Sequence, residues 1–569
     1  MKKHLSSLVV LIFFIVLAAI GVSIYKTFGV PVDDPAQTEL AAWNYRYIFK
    51  GDPTLLSYPD RYHGVTFELP LLWIEARYVG PNYNAEYIRH LILYFLFLVS
   101  LIIFYYISRR LFHSSWWGLL TVVFLVASPR IYMDAFYNSK DIPFMGSFVV
   151  AFGTLVLFLD TWKKQGMAVV TWVVLGVHAI ASGWLIATRV PGVAIIPISL
   201  ILLLAVEWGS HQTWKHGLAT IFIYLVFSAG FTVFFFPVLW HNPLGEFINT
   251  FKEMSRYLPY GKDVLYLGKY VSSGDLPWHY LPVWIGISTP LIILAGILPG
   301  FLDWTRSAVK QLRKGVRESL SGFAAIVTDP DTLGWLAVIG WLLIPVVAIY
   351  WFHSVLYNGW RQMFFIYPPL LLLSTRGFYT VYQWFVRKTG RSTRVLLVTL
   401  LILLVGLAEP VGFMIQYSPC AYVYFNSLAG NPASLRQRFD LDYWGLSYKP
   451  AIDYILAHDP SDTIRLFVAD TSGLQYYDTA LAPQPKSRLV MVKSQDDYFN
   501  YLLVIFQPIP MIIIRRILSI IRLVYTARKS LLSIAFTRET MPNRSSEFAW
   551  IQRVYIGING FAISLIRIY

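Results

Sequence analysis

Long apolar stretches separated by short polar, basic or aromatic segments set the rhythm of this chain. Runs of roughly 18 or more apolar residues recur, each long enough to cross a hydrocarbon core about 30 Å thick. They predict membrane helices near residues 5–25, 89–108, 116–133, 142–160, 168–187, 190–207, 218–238, 279–300, 334–352, 362–383 and 395–415, about eleven in all. The first of these follows Lys2 and Lys3 and has the look of a leader, but no small-residue cleavage site follows it. It therefore reads as a retained helix. The loop 29–88 is long and holds two amphipathic stretches, Ala36 to Phe49 and Phe67 to Tyr78, which predict helices lying in the membrane interface. No internal repeat is visible.

From Ser418 the pattern changes. KPAIDYILAH, IRLFVAD and RLVMV alternate helix-like and strand-like pieces, predicting a small α/β appendage. The organisation expected is a membrane domain over 1–416 and a region outside the membrane over 417–569. Within the latter, LLVIFQPIPMIII is short for a span and precedes Arg515, Arg516, Arg522, Arg528 and Lys529. A basic helix on the membrane surface over 502–536 is the expectation, with a twelfth span as the alternative.

Composition and charge sharpen this picture. The 569 residues are 56% hydrophobic and only 14% charged, against about 25% charged in ordinary soluble domains. The net charge of +15 could suggest nucleic acid. Its placement argues against that, because the basic clusters (Arg109 and Arg110, Lys163 and Lys164, Arg306 to Arg317, Arg387 to Arg394) fall between apolar runs. With the N-terminus in the cytoplasm every one of them lands inside, and the C-terminal region lands outside. The lone cysteine, Cys420, excludes an intramolecular disulfide and a multi-cysteine metal site.

Three groups of residues could carry chemistry at the outer side. Asp33 and Asp34 follow the first span, where carboxylates near lipid are costly, and one of them could take a proton from an attacking hydroxyl. The alternative is a solvated acidic turn capping the next helix. The short loop SPRIYMDAFYNSKDIPF brings Arg130, Asp134, Lys140 and Asp141 to the same side; there the alternative is snorkelling and capping at a membrane boundary. Arg89, Arg189 and Arg361 sit at outer helix ends, where a guanidinium could grip a phosphate or simply pair with a carboxylate or headgroup. His63, in DRYHGVTFELP, could contact phosphate or acceptor, or be structural. No HExxH, Walker loop, GxSxG or zinc-spaced set is present, which argues against a metalloprotease, an ATPase or a serine hydrolase. Two adjacent carboxylates could hold a divalent cation, though they make a sparse ligand set.

At these residues the chain resembles the GT-C glycosyltransferases, in the branch of protein O-mannosyltransferases and aminoarabinose transferases and in its bacterial, family 39-like form. The acidic pair Asp33-Asp34 after the first span, Asp141 within NSKDIPF at the fourth, and Arg89 opening the second carry the resemblance. So do the segments LPYGKDVLYLGKYVSSGDLPWHYLPVWIGISTP, LYNGWRQMFFIYPPL and YFNSLAG…FDLDYWGLSYKPAIDYI, over roughly residues 1–499. One departure is that YHGVTFELP stands where aminoarabinose transferases carry a lysine-proline motif.

The resemblance implies an all-α polytopic bundle of GT-C type in a bacterial plasma membrane. It also implies a sugar donor linked to polyprenyl phosphate and an inverting transfer, on the extracytoplasmic side, to a hydroxyl of a glycan, lipid or protein. Asp33 would be the base and Asp34 and Asp141 its companions. Arg89, Lys140, Arg189 and Arg361 would bind the donor phosphate, with His63, Arg130 and Asp134 as further substrate contacts. The competing readings are a transporter or flippase for a lipid-linked glycan, disfavoured by the missing repeat, and a non-catalytic scaffold.

Overall fold

The computed structural model describes residues 2–78, 85–209, 214–255, 263–327, 329–468, 488–492, 501–504, 551–558 and 561–568. Helices α1 (Lys2–Ile24), α2 (Asp34–Lys50), α3 (Glu68–Tyr78), α4 (Ala85–Phe112), α5 (Ser115–Val126), α6 (Pro129–Tyr137), α7 (Asp141–Gln165) and α8 (Val169–Thr188) form the first half. The second half is α9 (Ile195–Gly209), α10 (Trp214–Phe235), α11 (Pro243–Ser255), α12 (Tyr280–Ser288), α13 (Leu291–Val327), α14 (Pro330–Phe352), α15 (Tyr367–Thr389) and α16 (Ser392–Tyr417). Among the described residues nine helices are long and apolar enough to cross a membrane, ten if α5 and α6 count as one bent span. Their outward faces are apolar: Leu397, Leu400, Leu401, Leu404 and Val405 of α16 are all exposed, which suits hydrocarbon rather than water.

Three predicted spans differ in detail. The segment 116–133 is broken by 71° between α5 and α6. Ser128 is extended and Pro129 opens the next helix, because a residue before proline avoids the helical region. The segment 279–300 is likewise cut at Thr289–Pro290, and α13 then runs on for 37 residues through the basic stretch expected to be a loop. The segment 362–383 begins as a tight turn, Arg361–Ile366, and continues as α15. α15 is not among the helices apolar enough to span, since Arg376, Gln383 and Arg387 interrupt it. Its first half is core: Tyr367 to Thr375 are all buried. Glycines let it press against α13, for a Cβ at Gly377 would stand 2.0 Å from the Gly296 carbonyl oxygen.

The two amphipathic stretches of the first loop are helical as expected, as α2 and α3. The chain between them is fixed to the bundle. A Cβ at Gly64 would lie 1.9 Å from the Ala187 carbonyl oxygen, and the Thr66 and Thr188 hydroxyls are 2.7 Å apart. That close approach brings His63 beside the end of α8.

After α16 the chain folds back across the same end of the bundle. Asn426 donates to the Gly286 and Thr289 carbonyls at 2.7 and 2.6 Å, closing the C-terminus of α12. A hairpin of β1 (Asp263–Tyr266) and β2 (Lys269–Ser272) bridges to Phe439 through Tyr266. Beyond the short α17 (Pro432–Leu435) and α18 (Tyr448–His458), the α/β appendage takes shape. Strand β3 (Ile464–Val468) pairs in parallel with β4 (Leu489–Val492) and β5 (Tyr501–Val504). Antiparallel β7 (Phe561–Ile568) and β6 (Ile551–Ile558) complete the order β4-β3-β5-β7-β6. The surface helix expected over 502–536 is corrected at its start, since 502–504 belong to β5; residues 505–536 lie outside the described ones.

Candidate functional site

Helices α4, α7 and α13 run from one end of the bundle to basic residues at the other, and α1, α8 and α16 run the opposite way. The predicted site residues gather at the end away from those basic clusters. Asp33 enters there on a fixed strand of chain: Phe28 stacks on Phe136 with ring centres 4.4 Å apart, and the Val32 N–H donates to the Trp444 carbonyl at 3.0 Å. Although Asp33 stands at the N-cap of α2, its side chain makes no capping hydrogen bond. It turns instead to Arg361, whose Nη1 donates to Oδ2 at 3.0 Å, and to Lys140, whose Nζ is 3.7 Å from the same oxygen. Burial works to raise its pKa, but the charges of Arg361 and Lys140 outweigh that and hold the carboxyl well below its ordinary range.

Asp141 opens α7 and is buried. It is paired with Arg189 at the end of α8, and its Oδ2 lies 3.5 Å from the same Arg361 Nη1 that holds Asp33. Arg361 thus bridges two carboxylates that are 108 positions apart in sequence (141 − 33). Its guanidinium is 4% exposed, lies over the Trp444 ring at 4.3 Å, and has Tyr357 and Tyr443 at 5.3 and 5.8 Å. Its Nε is buried with no hydrogen-bond partner among the described residues.

Asn138 supports this group. Its Oδ1 accepts from the Asp141 N–H at 2.8 Å, capping α7, while Nδ2 donates to Asp134 at 2.8 Å and to Asp141 at 3.1 Å. Asp134 also accepts from the Tyr137 hydroxyl at 2.5 Å. Arg130 lies deeper: it is buried rather than snorkelling, donates to the Tyr424 carbonyl at 2.9 Å and faces Phe425 at 4.6 Å. His63 is near enough for Lys140, Arg189 and Asp33 to act on it. Burial first, then the two cations, push its pKa well below the usual histidine value against the pull of Asp33, so the ring is neutral.

Asp34 and Arg89 are placed elsewhere. Asp34 points away from its neighbour toward Arg89, 3.5 Å off, in a second cluster that also holds Glu68 at 2.7 Å, Glu75 at 3.1 Å and Glu86 at 3.9 Å from that guanidinium. Arg89 is 1% exposed and committed to four carboxylates, so the expected grouping with the phosphate-binding cations is corrected. The same cluster stitches α2, α3 and α4 together. Burial, reinforced by Glu86 and Glu68, raises the Asp34 pKa despite Arg89. Burial raises Glu75 to about 7 against the same arginine. Adjacent aspartates are thus driven apart in acidity by their surroundings, Asp33 downward and Asp34 upward.

Sequence reasoning passed over Asn138, Tyr443 and Trp444. The turn carrying the last two is held by Asp442, which accepts from the Tyr422 and Ser447 hydroxyls and from the Gly445 N–H at 2.8 Å. The segment FDLDYWGLS stood out as a signature, yet only the fold shows which cation its tryptophan covers. Among the described residues no group of three His, Cys, Asp or Glu side chains is set to hold a metal ion.

No family model matches the chain, and no curated protein matches it significantly by sequence. Among solved structures it is similar to the Archaeoglobus fulgidus oligosaccharyltransferase in the apo form, with 12% identity, TM-score 0.47, and coverage of 84% of this chain and 64% of that one. It is similar to ArnT from Cupriavidus metallidurans bound to undecaprenyl phosphate, with 14% identity, TM-score 0.43, and coverage of 98% and 97%. A third is the oligosaccharyltransferase AglB from A. fulgidus in complex with an inhibitory peptide and a dolichol-phosphate, with 11% identity, TM-score 0.44, and coverage of 88% and 69%. The chain spans just under two thirds of the length of the first of these.

Proposed function

We propose that this protein is a GT-C-type membrane glycosyltransferase that moves a sugar from a polyprenyl-phosphate donor to an acceptor hydroxyl at the extracytoplasmic surface. The observation that carries the reading is the convergence of Asp33 and Asp141 on Arg361, flanked by Lys140 and Arg189, at one end of a helical membrane bundle. The positions of Arg109, Lys163, Arg306, Arg387 and Arg394 at the opposite end support an outward orientation for the site.

The chemistry follows from these groups. An acceptor hydroxyl attacks the anomeric carbon, its proton passes to the Asp33 carboxylate, and the bond from that carbon to the phosphate oxygen breaks. Direct displacement inverts the anomeric centre. The leaving lipid phosphate gains one negative charge, which Arg361, Lys140 and Arg189 would stabilise without reorganising. Asp141, fixed by Asn138 and Arg189, orients these cations and a sugar hydroxyl. Asp34 and Arg89, paired in the second cluster, set the entry of α2. The test is to incubate the purified protein in lipid with a panel of labelled polyprenyl-phosphate sugars and extracted envelope glycans, lipids and proteins. Transfer with inverted anomeric configuration is expected; product of retained configuration, or no turnover with any donor, refutes the reading.

A further inference from the structure

Arg361 holds a carboxylate that the reaction needs free. In the present structure the Asp33 carboxylate accepts from Arg361 Nη1 at 3.0 Å and lies 3.7 Å from the Lys140 ammonium. A carboxylate so held is a poor proton acceptor, because its charge is already spent on two cations. The same guanidinium is buried against Trp444, and its Nε finds no acceptor among the described residues, although buried donors are nearly always satisfied. The cations Lys140, Arg189 and Arg361 also outnumber by one the carboxylates they pair with, Asp33 and Asp141, while Asp134 is bonded instead to Tyr137 and Asn138. The site therefore has a spare donor, a surplus positive charge, and one anion, Asp33, whose side chain is 29% open to the outside while Asp141 is only 2% open.

We propose that Arg361 couples donor binding to release of the base: the donor's phosphodiester, a monoanion, replaces the Asp33 carboxylate on Arg361 and Lys140 and so frees Asp33 to accept the acceptor's proton. Asp141 stays in place, because Arg189 and Asn138 hold it from the other side. The exchange conserves ion pairs at Arg361, which goes from two carboxylates to one carboxylate and one phosphate. Before the donor arrives, Asp33 cannot activate water at the site, and afterwards it faces the anomeric carbon whose leaving group has taken its partners. When the sugar has moved, the proton lies on Asp33 and the extra charge lies on the lipid phosphate. Loss of that proton to solvent restores the carboxylate, which competes again for Arg361 and helps expel the product.

This inference rests on the lipid-phosphate reading above, and the two fail differently. Binding of undecaprenyl phosphate to the full chain in detergent or nanodiscs, by native mass spectrometry or thermophoresis, compares wild type with Asp33→Asn. Removing the competing anion should tighten binding about fivefold, the worth of one lost half-buried ion pair, while transfer disappears. Asp33→Ala should tighten binding in the same direction, which covers the case where the amide itself bonds Arg361. Arg361→Lys should weaken binding about tenfold or more, since a stacked guanidinium that can offer several donors is replaced by a point charge. Equal or weaker binding by both Asp33 variants, with Arg361→Lys weakened, refutes the exchange and leaves the donor reading standing. No binding by wild type or any variant refutes the donor reading, and the exchange with it.

Discussion

The carboxylate cluster around Arg89 makes a prediction whose sign runs against intuition. Glu75 belongs to α3, outside the spanning helices, and its side chain is 10% exposed. Burial, with Glu86 and Glu68 adding repulsion, raises its pKa from 4.5 to about 7 despite Arg89. A carboxyl whose pKa is raised on folding binds its proton more tightly in the folded state. Stability it contributes is therefore complete below about pH 4.5 and is lost as pH rises toward 7, because the unfolded chain ionises first. At about 1.36 kcal/mol per pKa unit the swing is worth about 3 kcal/mol. Glu75→Gln mimics the protonated form and can still accept from the Arg89 Nη1 that lies 3.1 Å away. The variant should match wild type at pH 4.5 and be more stable at pH 7.5, by an amount on the order of 3 kcal/mol. Melting of the detergent-purified protein, followed by tryptophan fluorescence across that pH range, measures it. If the two proteins lose stability in parallel between pH 4.5 and 7.5, Glu75 titrates normally and the account of this cluster is wrong.

Two further outcomes follow from the same geometry. Arg89→Met leaves the buried Asp34 and Glu68 and the half-buried Glu75 and Glu86 without their cation and should cost about 3–5 kcal/mol of stability at neutral pH, seen as a lower melting temperature. Adding Asp34→Asn should recover part of that loss, and additive loss in the double variant would show that the two do not interact. Trp444→Leu removes the ring 4.3 Å beneath Arg361 and should cost about 1 kcal/mol of lipid-phosphate binding, roughly fivefold in Kd, with folding intact. An unchanged Kd would mean the stacking does not hold the guanidinium in place.

The membrane bundle was legible because its signal is long and repeated: each apolar run exceeds what chance or a soluble core requires. The breaks at Ser128–Pro129 and Thr289–Pro290 were not, since hydropathy averages over a kink even where proline marks it. α15 misled for the opposite reason. It is apolar enough to look like a span in its first half, yet that half is buried in protein against α13. At the site, the acidic pair drew attention as a unit, and its division was hidden because Asp33 and Asp34 point to different partners at the start of one helix. Which arginine serves which cluster depends on contacts such as Arg361 to Asp33, 328 residues apart. Asn138 was visible only as a neighbour of Asp141, although an Asn three residues before an acidic helix start is a capping pattern. From Ile464 onward the strand pattern of IRLFVAD and RLVMV was readable, whereas nothing in 502–504 separated a short strand from the beginning of a surface helix.

The central claim, that Asp33 is the proton acceptor in sugar transfer, is tested most directly by comparing wild type and Asp33→Asn in the same proteoliposomes under saturating lipid-linked donor. The account predicts a fall in kcat of about 10²–10⁴, with the variant still folded and still binding undecaprenyl phosphate. Turnover within about tenfold of wild type would contradict it.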